Sequence, residues 1–316
     1  MHPRRHSMRR LARRTVFTLA CALAAVTATP ALAALRVLAC EPEWAALAQE
    51  LGGDKVDVVS ATTALQDPHQ IQVRPSLIAR ARSADLVVCT GAELEIGWLP
   101  LLLQQSGNAK VQPGQSGHFA AAEQVRLAER PAQLDRAQGD VHAAGNPHIQ
   151  TDPRLIATVA TALGQRLQQI DAANAAHYAG RLADFTTRWR QAIARWEAQA
   201  APLKGQSVVS QHKAFVYLYD WLGLKEVAVL EPKPGVEPTV AHLQTVLATL
   251  KGTPARMVVH AAYQDARPSQ WLNAQAQIPV VTLPFTVGGT PAAKDLFALF
   301  DDTLARLLQA AGGAAR

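Results

Sequence analysis

The chain has 316 residues, 49% of them hydrophobic and 18% charged, a globular composition that is neither disordered nor collagen-like. Its formal charge of +6 points at first to nucleic acid or an acidic membrane surface. All of it lies in residues 1–33, which hold six arginines (Arg4, Arg5, Arg9, Arg10, Arg13 and Arg14) and no acid, so without them the chain is neutral and a nucleic-acid partner loses its support.

The first element is that arginine-rich start, followed by an apolar run over residues 16–26 and a small-x-small site at Ala31-Leu32-Ala33. This is the pattern of a cleaved export signal, too short to span a bilayer. Cleavage after Ala33 leaves 283 of the 316 residues. Arg13-Arg14-Thr15-Val16-Phe17 resembles a twin-arginine signal, but the general secretory route is the preferred reading. Cys21 lacks a leucine three residues upstream, which argues against lipidation. The expected location is the periplasm, with the mature chain soluble and monomeric. Two cysteines remain, Cys40 and Cys89, each closing a short apolar run. In an oxidising compartment they either pair or serve as two small buried hydrophobes.

Strand and helix signals then alternate. Strands are expected at Leu35–Ala39, Val56–Ser60 and Leu86–Cys89, with helices at residues 44–51, 75–83 and 97–105. Residues 106–147 are rich in Gly, Gln, Ala and Pro and read as a loose loop. Asp152-Pro153 carries an N-cap and a first-turn proline, which opens a helix. Over residues 172–200, Leu182, Phe185, Trp189, Ile193 and Trp196 recur every three or four positions. That spacing predicts one long amphipathic helix, ended by Pro202 and Gly205. A second alternation follows, with strands at residues 207–210, 227–230, 257–260 and 280–283 and helices near 214–222, 239–250, 268–276 and 292–310. The fold class is therefore α/β: two Rossmann-like lobes with mostly parallel sheets, residues 34–171 and 204–316, joined by a bridging helix over 172–203.

Eight histidines lie beyond the leader. His69 follows the second strand in Asp67-Pro68-His69, His148 precedes the Asp152-Pro153 helix in Asn146-Pro147-His148, and His212 leaves the first strand of the second lobe. Ligands of open α/β sheets bind beyond the carboxyl ends of the strands, where His69 and His212 sit. Two readings stand on spacing alone: one shared metal site, or separate surface and capping histidines, since separations of 79 and 64 residues match no short zinc motif. His177 and His242 lie in helices and are expected to face solvent. His260 is expected to be a satisfied core or loop histidine, and Glu231-Pro232-Lys233-Pro234-Gly235 an ordinary turn-rich surface loop.

Asp67-Pro68-His69, Ala84-Asp85-Leu86-Val87-Val88, Gly91-Ala92-Glu93-Leu94-Glu95, Asn146-Pro147-His148 and Ser210-Gln211-His212-Lys213-Ala214-Phe215, in this order, resemble the periplasmic metal-binding proteins of zinc and manganese ABC importers. The resemblance covers nearly all of the mature chain. It implies one divalent metal held between two lobes by His69, His148 and His212 and delivered to the transmembrane subunits of an ABC permease, with no catalysis. Family members often place an acid in a late loop of the second lobe. Here the comparable stretch, residues 282–289, has no carboxylate. Water, Glu41, Glu43 or His142 then stands as the fourth ligand. Three imidazoles and no evident acid favour Zn²⁺ over Mn²⁺, with Asp67 a candidate acceptor to orient a ligand ring and Asp152 a helix cap. The competing readings are a zinc hydrolase, for which no H-E-x-x-H or G-x-S-x-G is present, and a surface adhesin on the same fold.

Overall fold

Two four-stranded sheets organise the computed structural model, which describes residues 33–131, 139 and 141–313. The export signal and its cleavage site thus lie almost wholly outside the described residues. In the first sheet, β1 (Leu35–Ala39), β2 (Val56–Ser60), β3 (Leu86–Cys89) and β4 (His118–Ala120) run in the order β2-β1-β3-β4. In the second, β5 (Ser207–Ser210), β6 (Lys225–Val229), β7 (Met257–Ala261) and β8 (Val280–Leu283) repeat that order as β6-β5-β7-β8. Every pairing is parallel. The central strands β3 and β7 are buried throughout, which explains their continuous apolar runs.

Nine α-helices complete the described chain: α1 (Pro42–Gly52), α2 (Pro75–Ser83), α3 (Leu99–Ser106), α4 (Pro153–Ile170), α5 (Ala175–Ala200), α6 (Val216–Leu222), α7 (Val240–Gly252), α8 (Arg267–Ala276) and α9 (Leu296–Gly313). Pro42, Pro75 and Pro153 each stand in a first turn, where the missing N–H has no partner to lose. Asp152 caps α4 by accepting from the Arg154 backbone N–H at 2.8 Å. Helix α5 is 26 residues long, about 39 Å at 1.5 Å per residue, and short 3₁₀ turns at Ala172–Asn174 and Ala201–Leu203 flank it.

Alternation along each strand divides the core. Val37, Ala39 and Val88 from the first sheet, and Val208, Val259 and Leu283 from the second, belong to one continuous core that includes α4, α5 and α9. The opposite faces form smaller cores: Leu38, Cys40, Val87 and Cys89 with α2 and α3, and Val209 and Val258 with α7 and α8. Helix α5 is the shared member. Its Tyr178, Phe185, Trp189, Ala192 and Trp196 are buried on one face. Trp189 stacks on Phe185 at 5.1 Å and meets Trp196, Phe297 and Phe300 at 4.8–5.6 Å, while its indole N–H donates to the Pro153 carbonyl at 2.8 Å. Gly164 lets α4 approach this closely, since a Cβ there would stand 2.9 Å from Leu182 Cδ2.

The stretch read as a loose loop holds more structure than its composition suggests. A 3₁₀ turn at Ala109–Val111, strand β4 and a second 3₁₀ turn at Ala121–Gln124 lie within it. Three residues carry too little periodicity to mark a strand, and β4 exists because β3 offers it a free edge, pairing Val87 with His118 and Cys89 with Ala120. Strand β6 starts two residues earlier than its apolar run, and α9 starts four residues later than expected. Cys40 and Cys89 form a disulfide between the ends of β1 and β3, with Cα atoms 4.7 Å apart.

Because Trp189 is 1% exposed at the centre of the shared core, Trp189→Ala is expected to lower the unfolding free energy by about 3–5 kcal/mol. Guanidinium denaturation of the metal-free protein measures this, and a loss below about 1 kcal/mol would contradict the central role given to α5.

Candidate metal centre

Asp67-Pro68-His69 and Asn146-Pro147-His148 fold into the same small device. Asp67 Oδ1 accepts from the His69 backbone N–H at 3.0 Å and holds its ring Nδ1 at 2.7 Å. Asn146 Oδ1 accepts from the His148 backbone N–H at 3.0 Å and holds its ring Nδ1 at 2.8 Å. The side chain two residues before the histidine fixes both backbone and ring, and the intervening proline narrows the turn. The first loop is pinned further by the Trp98 indole, which donates to the Pro68 carbonyl at 2.8 Å.

His212 is held by a residue far away in sequence. Strand pairing sets Ser210 beside Val229, and two residues later His212 Nδ1 meets Glu231 Oε2 at 2.7 Å. The Gly235 backbone N–H donates to the same oxygen at 2.8 Å.

These partners determine the tautomers. A carboxylate only accepts, so Nδ1 of His69 and His212 carries the proton. Asn146 Nδ2 donates to the Lys213 carbonyl at 2.9 Å and to Glu129 at 3.2 Å, which leaves its Oδ1 as acceptor for His148. In the neutral form of each ring the lone pair is thereby on Nε2. The Nε2 atoms of His69 and His148 are buried and have no hydrogen-bond partner. Burial, reinforced by the neighbouring imidazoles of His212, His69 and His142, holds His148 well below the ordinary imidazole range, so this ring stays neutral.

The rings converge. His69 lies 5.7 Å from His148 and 6.2 Å from His212, and His148 lies 5.4 Å from His212, between ring centroids. His142 joins them, 5.4 Å from His69 and 6.4 Å from His148. Its loop is tied to the turn after β3, where Glu93 accepts from the Ala143 backbone N–H at 2.7 Å. A cavity of about 850 Å³ reaches His142, His148 and His212 from one side, and one of about 310 Å³ reaches His69 and His212 from another. The stretch where the resemblance leads one to look for an acid instead sets Phe285 edge-on to His148 at 5.4 Å.

Glu41 and Glu43 hydrogen-bond elsewhere. Glu41 accepts from Thr90 at 3.2 Å and Glu43 from Thr286 at 2.5 Å, and neither bonds to an imidazole. His177 and His242, expected to face solvent, are half-buried. His177 Nε2 meets the Gly52 carbonyl at 2.9 Å, and His242 Nε2 meets that of Val229 at 3.0 Å, at the wall of the larger cavity. His260 is buried within the second sheet against Thr282. Sequence reasoning missed Glu231, whose signal was its register opposite His212, and Asn146, whose signal was the repeated Asx-Pro-His.

The family profile described as zinc-uptake complex component A, periplasmic, matches residues 37–310. The manganese ABC transporter substrate-binding lipoprotein PsaA of Streptococcus anginosus is 24% identical over 257 residues, 80% of each chain. The metal ABC transporter substrate-binding lipoprotein ScbA of Streptococcus cristatus is 23% identical over the same length and shares. A crystal structure of ZnuA superposes with a TM-score of 0.69 at 21% identity, covering 87% of this chain and 98% of that one. The binding protein FpvC of Pseudomonas aeruginosa, solved with Mn²⁺, superposes at 0.74 and 21% identity, covering 89% and 99%. The two-lobed architecture is thus shared with both solved structures, and the relatives named above are substrate-binding proteins, not hydrolases. The chain belongs to the ZnuA family and is a metal-binding, substrate-binding protein of an ABC importer rather than an enzyme.

Proposed function

We propose that the chain binds Zn²⁺ between its lobes and delivers it to the transmembrane subunits of an ABC permease, working in the periplasm as a single mature chain. His69, His148 and His212 ligate through Nε2, and His142 supplies the fourth nitrogen. The observation that carries this reading is the pair of buried, unpartnered Nε2 atoms on His69 and His148, in rings whose Nδ1 atoms are tied down behind them. A buried lone pair without a donor needs a ligand, and several imidazoles gathered within about 6 Å of one another suit a cation.

Donor chemistry selects the metal. Imidazole suits zinc, and carboxylate-rich shells suit manganese. The acids at this centre, Asp67 and Glu231, are spent on Nδ1. Their two negative charges, one ring away, balance a divalent ion, and four imidazole nitrogens give the tetrahedral shell zinc prefers. Several relatives are named for manganese, and the difference is attributed here to the missing acid in the loop that presents Phe285.

Calorimetry with metal analysis is expected to find one Zn²⁺ per chain, bound in preference to Mn²⁺, and the combined His69→Ala, His148→Ala, His212→Ala variant is expected to lose it. Full affinity in that variant would refute the site, and Mn²⁺ winning a direct competition would overturn the choice of metal. Glu231→Gln, which frees the His212 ring, is expected to weaken zinc about 10–100-fold with the fold intact by circular dichroism.

The pH dependence has a definite sign. Folded His148 refuses a proton that the unfolded chain accepts below about pH 6.5, so the stability tied to its neutral ring is lost as pH falls through that value. The stability difference between the metal-free wild type and His148→Asn is therefore expected to shrink by about 1.4 kcal/mol per pH unit below 6.5. Denaturation in chelator at pH 7.5 and 5.5 reads it, and a flat or growing difference would contradict the assignment.

A further inference from the structure

The histidine centre uses the ends of β2 and β5, yet the strand order of the first sheet reverses between β1 and β3, and the ends of the strands at such a switch point are where open α/β sheets place ligands. At those ends stand Cys40 and Cys89. The two Sγ atoms and a carboxylate oxygen of Glu95 all lie within 4.8 Å of one another, in three buried residues. The Glu95 carboxylate is held in place by the backbone N–H groups of Thr90 at 2.7 Å and Gly91 at 3.0 Å. Beside it, Glu41 is 2% exposed and keeps one carboxylate oxygen buried without a hydrogen-bond partner.

This is a cluster of buried carboxyl groups without a cation. The described hydrogen bonds of Glu41 and Glu95 involve threonine, backbone N–H and each other, with no Lys or Arg. Burial pushes Glu95 up to about 7 and Glu41 well above the carboxylate range, with Glu95 and Glu43 adding like charge at Glu41. Buried carboxylates are ordinarily paired with a positive group or coordinate a metal.

We propose that the reduced chain carries a second metal site, in which Cys40, Cys89 and Glu95, with Glu41 completing the shell, hold a thiophilic divalent ion such as Zn²⁺. Two thiolates with one or two carboxylates form a donor set that zinc accepts. In the oxidised chain the sulfurs are consumed in their own bond and the site is closed. Opening it takes two electrons. With a trialkylphosphine and water, the sulfur–sulfur bond breaks, phosphorus takes the oxygen, and the products are two thiols and a phosphine oxide. Zinc then displaces the two thiol protons to the buffer and binds two thiolates. Disulfide and metal therefore exclude each other, and zinc bound before oxidation delays formation of the disulfide.

The inference is independent of the histidine centre, because only this site offers sulfur. The test uses the full chain, unfolded and reduced with a trialkylphosphine, refolded under the same reductant and titrated with Co²⁺ and then Zn²⁺. The expected result is a thiolate-to-cobalt charge-transfer band in the reduced protein, absent from the oxidised one, and one more equivalent of zinc in the reduced state than in the oxidised state. Cys89→Ser should abolish the band and the extra equivalent. Glu95→Gln, which keeps both thiols, should weaken the sulfur-bound metal at least tenfold. A reduced, folded protein with no band and no extra equivalent overturns the proposal, and an unchanged affinity in Glu95→Gln overturns the carboxylate's part. If the reduced chain does not refold by itself, refolding on addition of Zn²⁺ in the His69→Ala, His148→Ala, His212→Ala background supports the site, and failure to refold there overturns it. Failure of the histidine centre alone would leave one sulfur-bound equivalent in the reduced chain.

Discussion

Two sheets bury their inner faces against one helix, and the rest of the molecule depends on that shared core. Each parallel sheet must be covered on both faces. The outer faces have their own helices, but the inner faces meet the core formed by α4, α5 and α9. Separating the lobes would expose the aromatic seam around Trp189 and Trp196. Polar ties reinforce it: Trp196 donates to Asp301 at 2.6 Å, and Arg181 to the Glu50 carbonyl at 2.7 Å. Motion of one lobe on the other is thereby restrained, so a site built from both lobes keeps its geometry.

That rigidity gives the imidazoles their meaning. Three rings are oriented from behind by Asp67, Asn146 and Glu231, each accepting a hydrogen bond from the ring Nδ1–H. Asn146 also reaches across the cleft to the Lys213 carbonyl, and Tyr217 donates to the Asn146 carbonyl at 2.6 Å. The loop that carries His148 is thus fixed from both lobes. In the proposed site, rings held this way would offer nitrogen before any ion arrives, which lowers the ordering cost of binding.

The buried acids at the ends of β1 and β3 work in the opposite sense. Raising the pH towards 7 charges Glu43 and Glu95 in the folded state, whereas the unfolded chain charges them near 4.5, so their contribution to stability declines as pH rises through that window. The protein tolerates this beside a disulfide that links two central strands 49 residues apart. Glu43 also joins the lobes, its Oε2 accepting from the Thr286 hydroxyl.

Much was legible along the chain. Short β-rich runs matched β1, β2, β3, β5 and β8 to the residue, the clearest being the central strand β3, which is continuously hydrophobic because both its faces are covered. The three-and-four spacing of Leu182, Phe185, Trp189, Ile193 and Trp196 marked α5, and the proline before His69 and before His148 marked two loops whose conformation is locally encoded. Strand β4 was hidden because an edge of three residues exists only by pairing with its neighbour. The partnership of His212 with Glu231, the arrival of His142 beside His69 and the turning of Glu41 and Glu43 to other partners were equally invisible. The sequence by itself determined the α-helices and every strand but β4, their order and the local turns that orient His69 and His148, since those depend on residues within a few positions of one another. Only the tertiary structure decided which side chains share a site, because that depends on strand register and lobe packing between residues up to 143 positions apart, from His69 to His212.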